Sequence, residues 1–267
     1  MVLGNSIADL KAALRNHLDL RSLMGTADLA KAINSAQDQA ATVDIKDVEW
    51  LPVIPNPDKI LCVGVNYREH IREMGRKTEK YPVIFLRLAA SQVGHQQPIL
   101  RPKVSDKLDF EGELAVIIGR AGRYIPAERA AEHIAGYSIY NDATIREWQL
   151  HTHQFTPGKN FPSTGAFGPW MVTADEIPDP GRLHLTTRLN GEIMQDSGLD
   201  DVVFTVPHLI SYISSFTELV PGDVIITGTP NGVGFARKPP LWMKPGDRIE
   251  VEISSIGTLS NPVEQER

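Results

Sequence analysis

Only one cysteine, Cys62, occurs in the 267 residues. No disulfide can form within the chain, and a reducing compartment is expected. Positive charge is scarce as well: 27 Lys and Arg stand against 33 Asp and Glu, a net charge of −6. That balance argues against a nucleic-acid partner, which would require a basic face. No stretch approaches the ~18 consecutive apolar residues of a spanning helix, so no membrane partner is expected. The opening MVLGNSIADLKAALRNHL has its apolar run interrupted by Asp9, Lys11 and Arg15, unlike a secretory signal. The expected setting is cytoplasmic. Neither a solenoid period nor a low-complexity tract is visible. The Gly-Lys pair at 158–159 lacks the glycine-rich loop that would make it a nucleotide signal.

Hydrophobic residues make up 42%, enough for one large domain or one domain plus a small appendage. Ile7, Leu10, Leu14 and Leu18 fall at helical spacing, with Asn5 or Ser6 as the cap. A second helix is expected over about Thr26–Gln39, after Gly25. The three prolines of VEWLPVIPNPDK, Val48–Lys59, read as a linker. Beyond it come short apolar runs bounded by turn residues: ILCVGV, PVIFLRL, ELAVIIG, AGYSIY, GPWMVT, LHLTTRL, DVIIT and RIEVEI. Helical interruptions are expected near Pro126–Ala135, with the proline at a first helical position, and near Val206–Ser214. Pro-Gly-Asp turns at Pro221 and Pro245 suggest neighbouring strands near the C-terminus. The expected fold class is β-rich α+β, with a small helical N-terminal domain over residues 1–57 and a catalytic domain over 58–267.

Within LDFEGELAVIIG, Asp109, Glu111 and Glu113 precede a buried apolar run, and residues two apart in a strand share a face. Crowding carboxylates at the mouth of a buried strand costs repulsion. Protonation relieves it, and so does a hard cation such as Mg²⁺, Mn²⁺ or Ca²⁺. Solvated acids on a strand edge fit the same spacing. Asp142, in AGYSIYNDATIREWQ, stands where a β-like run turns helical. It serves there either as a helix N-cap or as a third carboxylate, with Arg146 and Gln149 on its helical face. His70 and Glu73 in NYREHIREMG lie three residues apart, the spacing at which a carboxylate orients an imidazole for general-base work. A solvated, charge-rich helix has the same composition. Lys159 could bind a carboxylate or sit in a loop. TGTPNGVG, Thr227–Gly234, could offer backbone N–H groups to an anion or form a plain turn. His151 and His153 find no third ligand of matching type nearby, so zinc is discounted.

Taken together these stretches resemble the fumarylacetoacetate hydrolase family, from about Lys59 to Val263. The motifs occur in order: VGVNYREHIREMG, PVIFLR, LDFEGELAVIIG, YSIYNDATIREWQ, GKNF, GPWMVT, LNGEIMQDS and PGDVIITGTPNGVG. The resemblance implies a mixed β-sandwich roll, commonly a homodimer. It implies that Glu111, Glu113 and Asp142 hold a divalent metal, Mg²⁺ or Mn²⁺, with Ca²⁺ as a further option; Asp109 is not a ligand in the family pattern. It aligns His70 and Glu73 with the catalytic base and its acidic helper, on a lid in some members. It gives Lys159, as a further catalytic residue, and Arg146 and Gln149 contacts to substrate and intermediate around the metal, counts Arg87 among the substrate-binding residues, and gives Thr229 a contact to the substrate carboxylate. Arg87 stands where many members carry lysine; its planar fork suits a different anion geometry. Two departures concern substrate choice: Lys159 is followed by Asn160-Phe161-Pro162, and DSGLDDVVF lacks a threonine common there.

The activity so implied is hydrolysis of a C–C bond in a 2,4-dioxo acid of acylpyruvate type, through a metal-bound enolate. The alternatives are an oxaloacetate-type decarboxylase and an isomerase or tautomerase of an unsaturated 2-oxo acid, which use the same electron sink. The His70–Glu73 pair places hydrolysis first, because it implies water activation. A non-catalytic metal scaffold would leave that pair idle, and a cupin-like metal enzyme would want histidine ligands on strands. Pocket walls are expected from the N-terminal segment, from Met74–Tyr81 and from Phe161–Ala166.

Overall fold

The computed structural model describes residues 1–10, 19–24, 31, 33, 35–36 and 40–267. Its centre is a seven-stranded mixed sheet, ordered Val83–Arg87, Ile60–Gly64, Val224–Ile226, Gly112–Ile118, Ile134–Asp142, Gly165–Thr173 and Gln92–Val93. The runs ILCVG, GELAVII and VII are buried almost throughout. Strands covered on both faces need such unbroken apolar runs, whereas half-exposed strands alternate. A five-stranded sheet covers one face: Glu192–Gly198, His184–Leu189, Arg248–Ile253, Gly257–Gln265 and Ile99–Arg101. The molecule is thus strand-rich α+β, as expected.

Strand alternation decides what each face receives. Leu114, Val116 and Ile118 enter the core between the sheets, with Leu185, Val251, Ile253 and Leu259. Ala115 and Ile117 point the other way, into a second core with Cys62, Phe85 and Tyr140, closed by Met24 and Ile54. Each fully buried aliphatic side chain in these cores contributes about 1.5–3 kcal/mol. Glu113 shares the parity of Ala115, Asp142 that of Tyr140, and Arg87 that of Phe85. The charged groups therefore gather on the second face, at one end of the strands.

The N-terminal segment departs from the helical expectation. Ile7 lies in the strand Ser6–Asp9, which pairs with Val2–Leu3 and Ala41–Asp44 in a three-stranded antiparallel sheet. Gly4, at φ +61°, and Asn5 form the two-residue turn, and glycine at the first central position suits such a hairpin. Asn5 and Ser6 therefore belong to a hairpin and cap no helix, and Leu10 lies outside any helix. Leu14 and Leu18 lie outside the described residues. A short helix spans Leu20–Met24, between the two expected helices and within the segment expected to be helical. Within the second expected helix, Lys31, Ile33, Ser35 and Ala36 are helical; the remainder lies outside the described residues.

Other elements fall close to expectation. The helix Val206–Phe216 forms, and Ala127–His133 is 3-10, with Pro126 as its cap rather than its first residue. Both Pro-Gly-Asp turns close alike, Asp223 accepting from the Val220 amide and Asp247 from the Lys244 amide, each at 2.8 Å. The strands they launch belong to different sheets, so the two are not neighbours. The proline-rich segment is no loose tether: Ile54 is wholly buried in the second core.

Candidate active site

The D-x-E-x-E stretch is not one strand. Asp109 ends the short strand Leu108–Asp109, paired with Thr144–Ile145, whereas Glu113 lies in Gly112–Ile118. The chain bends at Phe110–Glu111, so the expected shared face holds for Glu111 and Glu113 and fails for Asp109. Glu111, Glu113 and Asp142 are all buried, with ligand oxygens within 4.8 Å of one another. Backbone bonds lock the two segments together: the Asp142 amide donates to the Glu111 carbonyl at 2.8 Å, and the Glu111 amide donates to Asn141 Oδ1 at 3.0 Å. Asp142 caps no helix, because Ile145 occupies that position before Arg146–Leu150.

Three cations meet these acids. Lys159 Nζ, 1% exposed, donates to Glu111 Oε2 and Asp142 Oδ2, both at 2.5 Å. Gly158 allows this: a Cβ there would lie 2.4 Å from the Gln149 amide, so only glycine lets Thr156–Lys159 approach the Arg146–Leu150 helix so closely. The glycine of the Gly-Lys pair is thus a packing device. Arg146 donates through Nε to Asp109 Oδ2 at 2.8 Å, and a terminal nitrogen forms an ion pair with the same oxygen at 2.8 Å. The same terminal nitrogen reaches Glu111 Oε1 at 2.6 Å, and the other meets Gln149 Oε1 at 2.8 Å. Arg87 lies behind the site. Its guanidinium pairs with Asp142 and donates to Thr164 Oγ1 and the Ala143 carbonyl. It does not line the cavity.

The environments of the acids push their protonation apart. Burial raises the Glu111 carboxyl, but Arg146 and Lys159 outweigh it and hold the group at about 2. Glu113 is pushed well above the carboxylate range by burial first, then by Asp142 and Glu111, despite Lys159 and the Gly228 amide, which donates at 2.5 Å. Burial lowers Lys159, yet Asp142 and Glu111 carry it above its ordinary value. Three clustered oxygen ligands, one strained by repulsion, form the donor set of a hard divalent cation.

His70 lies on the helix Arg68–Glu73 and lines the cavity beside Glu111, Glu113 and Lys159. Glu73 Oε2 meets its Nδ1 at 3.0 Å, and Glu73 Oε1 accepts from the Gly232 amide at 2.8 Å. The loop after Val224–Ile226 thereby fixes the carboxylate that fixes the imidazole. Thr229 also lines the cavity, though its hydroxyl is engaged, donating to the Gly112 carbonyl at 3.0 Å and accepting from Gln195 at 2.8 Å. Met74 and Arg76 line the wall from the expected 74–81 stretch, and Val63–Val65, Phe85, Leu150, Phe155 and Phe235 line it too, with Arg146 and Gln149. Among the described residues, neither the N-terminal segment nor Phe161–Ala166 contributes to it. His151 and His153 are exposed in a bend and share no strand face. Gln195 is buried and carries no local signal of its role. Asp109 was visible in the acidic stretch, but the bend that sends it to Arg146 was not.

A buried acid triad at the open end of a mixed sheet, faced by a His–Glu pair, defines a metal-site enzyme fold of the fumarylacetoacetate hydrolase type. The chain belongs to that family: residues 59–264 match the model described as fumarylacetoacetate (FAA) hydrolase C-terminal. It is 40% identical over 241 residues to oxaloacetate tautomerase FAHD2A, mitochondrial, of Bos taurus, spanning 90% of this chain and 77% of that protein. The crystallised fumarylacetoacetate hydrolase of Exiguobacterium antarcticum superposes with a TM-score of 0.86 at 35% identity, covering 99% of this chain and 94% of that one. Maleylpyruvate hydrolase of Sphingobium sp. SYK-6, solved with manganese(II) and pyruvate, superposes at 0.83 with 28% identity, over 100% and 96% of the two chains.

Proposed function

We propose that this protein is a divalent-cation-dependent enzyme that interconverts the enol and keto forms of a small 2-oxo dicarboxylic acid, of which oxaloacetate is the simplest. The observation that carries this reading is the His70–Glu73 pair directed at a cavity floored by Glu111 and Glu113. The likeness to a named oxaloacetate tautomerase supports the substrate class and moves proton transfer ahead of C–C hydrolysis. Glu111, Glu113 and Asp142 would hold Mg²⁺ or Mn²⁺, and manganese in the maleylpyruvate hydrolase structure supports that choice. When bound, the ion supplies Lewis-acid polarisation of a 2-oxo group.

The chain's own residues supply the rest. With Nδ1–H donated to Glu73, the imidazole keeps a basic Nε2 for the substrate. That nitrogen takes a proton from C3 of the keto acid, and the oxygen on C2 gains one from water; the reverse sequence restores the ketone. Asp109, Glu111, Glu113 and Asp142 face Arg87, Arg146 and Lys159, a balance of −1 that a divalent ion turns to +1, suited to an anion. Gln149 spends its oxygen on Arg146, leaving its amide donors for a substrate carboxylate, as Thr229 leaves its amide. Arg76 at the cavity wall offers a cation to a second carboxylate.

Hydrolysis of an acylpyruvate is a second reading. The full-length likeness to a maleylpyruvate hydrolase favours it, and the same base would then activate water. Product analysis separates the two: oxaloacetate and acylpyruvates are incubated with the Mn²⁺-loaded protein and followed by enol absorbance and by NMR. Faster enol loss with the carbon skeleton intact marks tautomerisation. Pyruvate plus a free acid marks hydrolysis, and CO₂ marks decarboxylation. His70→Ala should lower the rate by about 10²–10⁴-fold with Mn²⁺ still bound; an unchanged rate would refute the assignment of the base.

A further inference from the structure

The third carboxylate of D-x-E-x-E is left without a role by the triad. Asp109 is wholly buried and its two oxygens receive five contacts. The Phe110 amide donates at 2.8 Å, Gly234 at 2.8 Å and Phe235 at 2.9 Å, and Arg146 grips one oxygen twice. Two elements distant in sequence, the Gly234–Ala236 turn and the Arg146–Leu150 helix, thus share one anchor. The Phe235 ring, 5.6 Å from the guanidinium carbon, lies in the same cavity wall.

We infer that Asp109 is a positioning residue that holds the Arg146 guanidinium to one oxygen of Glu111, so that Glu111 keeps lone pairs for a cation. This inference rests on the cation site proposed above. Arg146 has two carboxylates within reach: its Nε donates to Asp109 Oδ2 at 2.8 Å, and one terminal nitrogen lies 2.8 Å from that same oxygen and 2.6 Å from Glu111 Oε1, while Lys159 holds Glu111 Oε2. Without Asp109 the guanidinium has one carboxylate left, and its preferred geometry is a two-pronged grip on both oxygens of Glu111. Such a grip adds a donor at Oε2 and competes with a divalent ion for the remaining lone pairs. Asp109 acts through Arg146, touching neither cation nor substrate.

The test is Mn²⁺ titration by calorimetry on the full chain, in the wild type, in Asp109→Asn, in Arg146→Gln and in the double variant, with circular dichroism as the check on folding. Asp109→Asn is expected to weaken Mn²⁺ binding by about 10–100-fold, the usual effect of removing an outer partner of a ligand. The double variant is expected to bind Mn²⁺ as Arg146→Gln does, because the liberated guanidinium is gone. That comparison holds even where Asp109→Asn alone is too unstable to titrate. A merely structural aspartate would weaken the double variant below Arg146→Gln, and that result overturns the inference, as does wild-type affinity in Asp109→Asn. Absence of Mn²⁺ binding in the wild type would instead remove the cation site itself.

Discussion

At the scale of single residues, partners decide what a charge can do. Lys159, read from sequence as either a loop lysine or an anion ligand, is a buried counter-ion bridging Glu111 and Asp142. Lys159→Met strands two buried carboxylates, and removing one partner of a buried pair costs about 3–5 kcal/mol. The variant should melt well below the wild type in EDTA, and Mn²⁺ should recover much of the difference. Equal melting temperatures in EDTA would show that the ammonium carries no such load. Arg87, on the same strand face as Phe85, spends its guanidinium on Asp142, Thr164 and the Ala143 carbonyl and does not line the cavity.

At the scale of elements, the Gly112–Ile118 strand and the Ile134–Asp142 strand bring acids of separate segments together in one register, Tyr140 opposite Glu113. That juxtaposition has a pH signature. Glu111 is depressed from 4.5 to about 2, so it stabilises the fold above its ordinary range and that contribution is lost as pH falls towards 2. Glu113 has the opposite sign: its folded value is raised, so ionising it costs stability as pH climbs from 4.5 towards that value. A bound divalent ion favours the ionised form. Mn²⁺ binding above pH 4.5 should therefore release protons, detected by calorimetry in buffers of different ionisation enthalpy. The melting-temperature gap between Mn²⁺-loaded and EDTA-treated protein should widen as pH rises from 4.5; a constant gap with no proton release would contradict the raised Glu113.

At the scale of the whole molecule, the second sheet is mainly a scaffold: it reaches the site through Gln195, which bonds Thr229 and Gly112, and none of its strands lines the cavity. Ile253, wholly buried between the sheets, tests this separation. Ile253→Ala should cost about 2–5 kcal/mol in denaturant unfolding while leaving Mn²⁺ affinity and turnover unchanged well below the melting transition. A parallel loss of cation binding would mean that the two sheets do not act independently. Among the described residues, no helix is long and apolar enough to cross a membrane.

The sequence by itself determined the strand-rich body, because strands buried on both faces must be written as unbroken apolar runs. It also pointed to the Glu111–Glu113–Asp142 triad and the His70–Glu73 pair, through the ordered motifs that resemble the family; the spacings alone left solvated acids, a helix cap and a charged helix open. It misread the N-terminal hairpin as a helix: Ile7, Leu10, Leu14 and Leu18 match a helical period, yet the Gly4–Asn5 turn pairs Ser6–Asp9 with Val2–Leu3, and a strand more than thirty residues away completes the sheet. Only the tertiary structure decided where the charges go. Asp109 turns from the acid cluster to Arg146, Arg87 stands behind Asp142, and the Gly232 amide holds Glu73. Each of these depends on long-range packing between a bend, a sheet edge and a loop, and no local pattern of residues encodes which of several nearby carboxylates a guanidinium will grip.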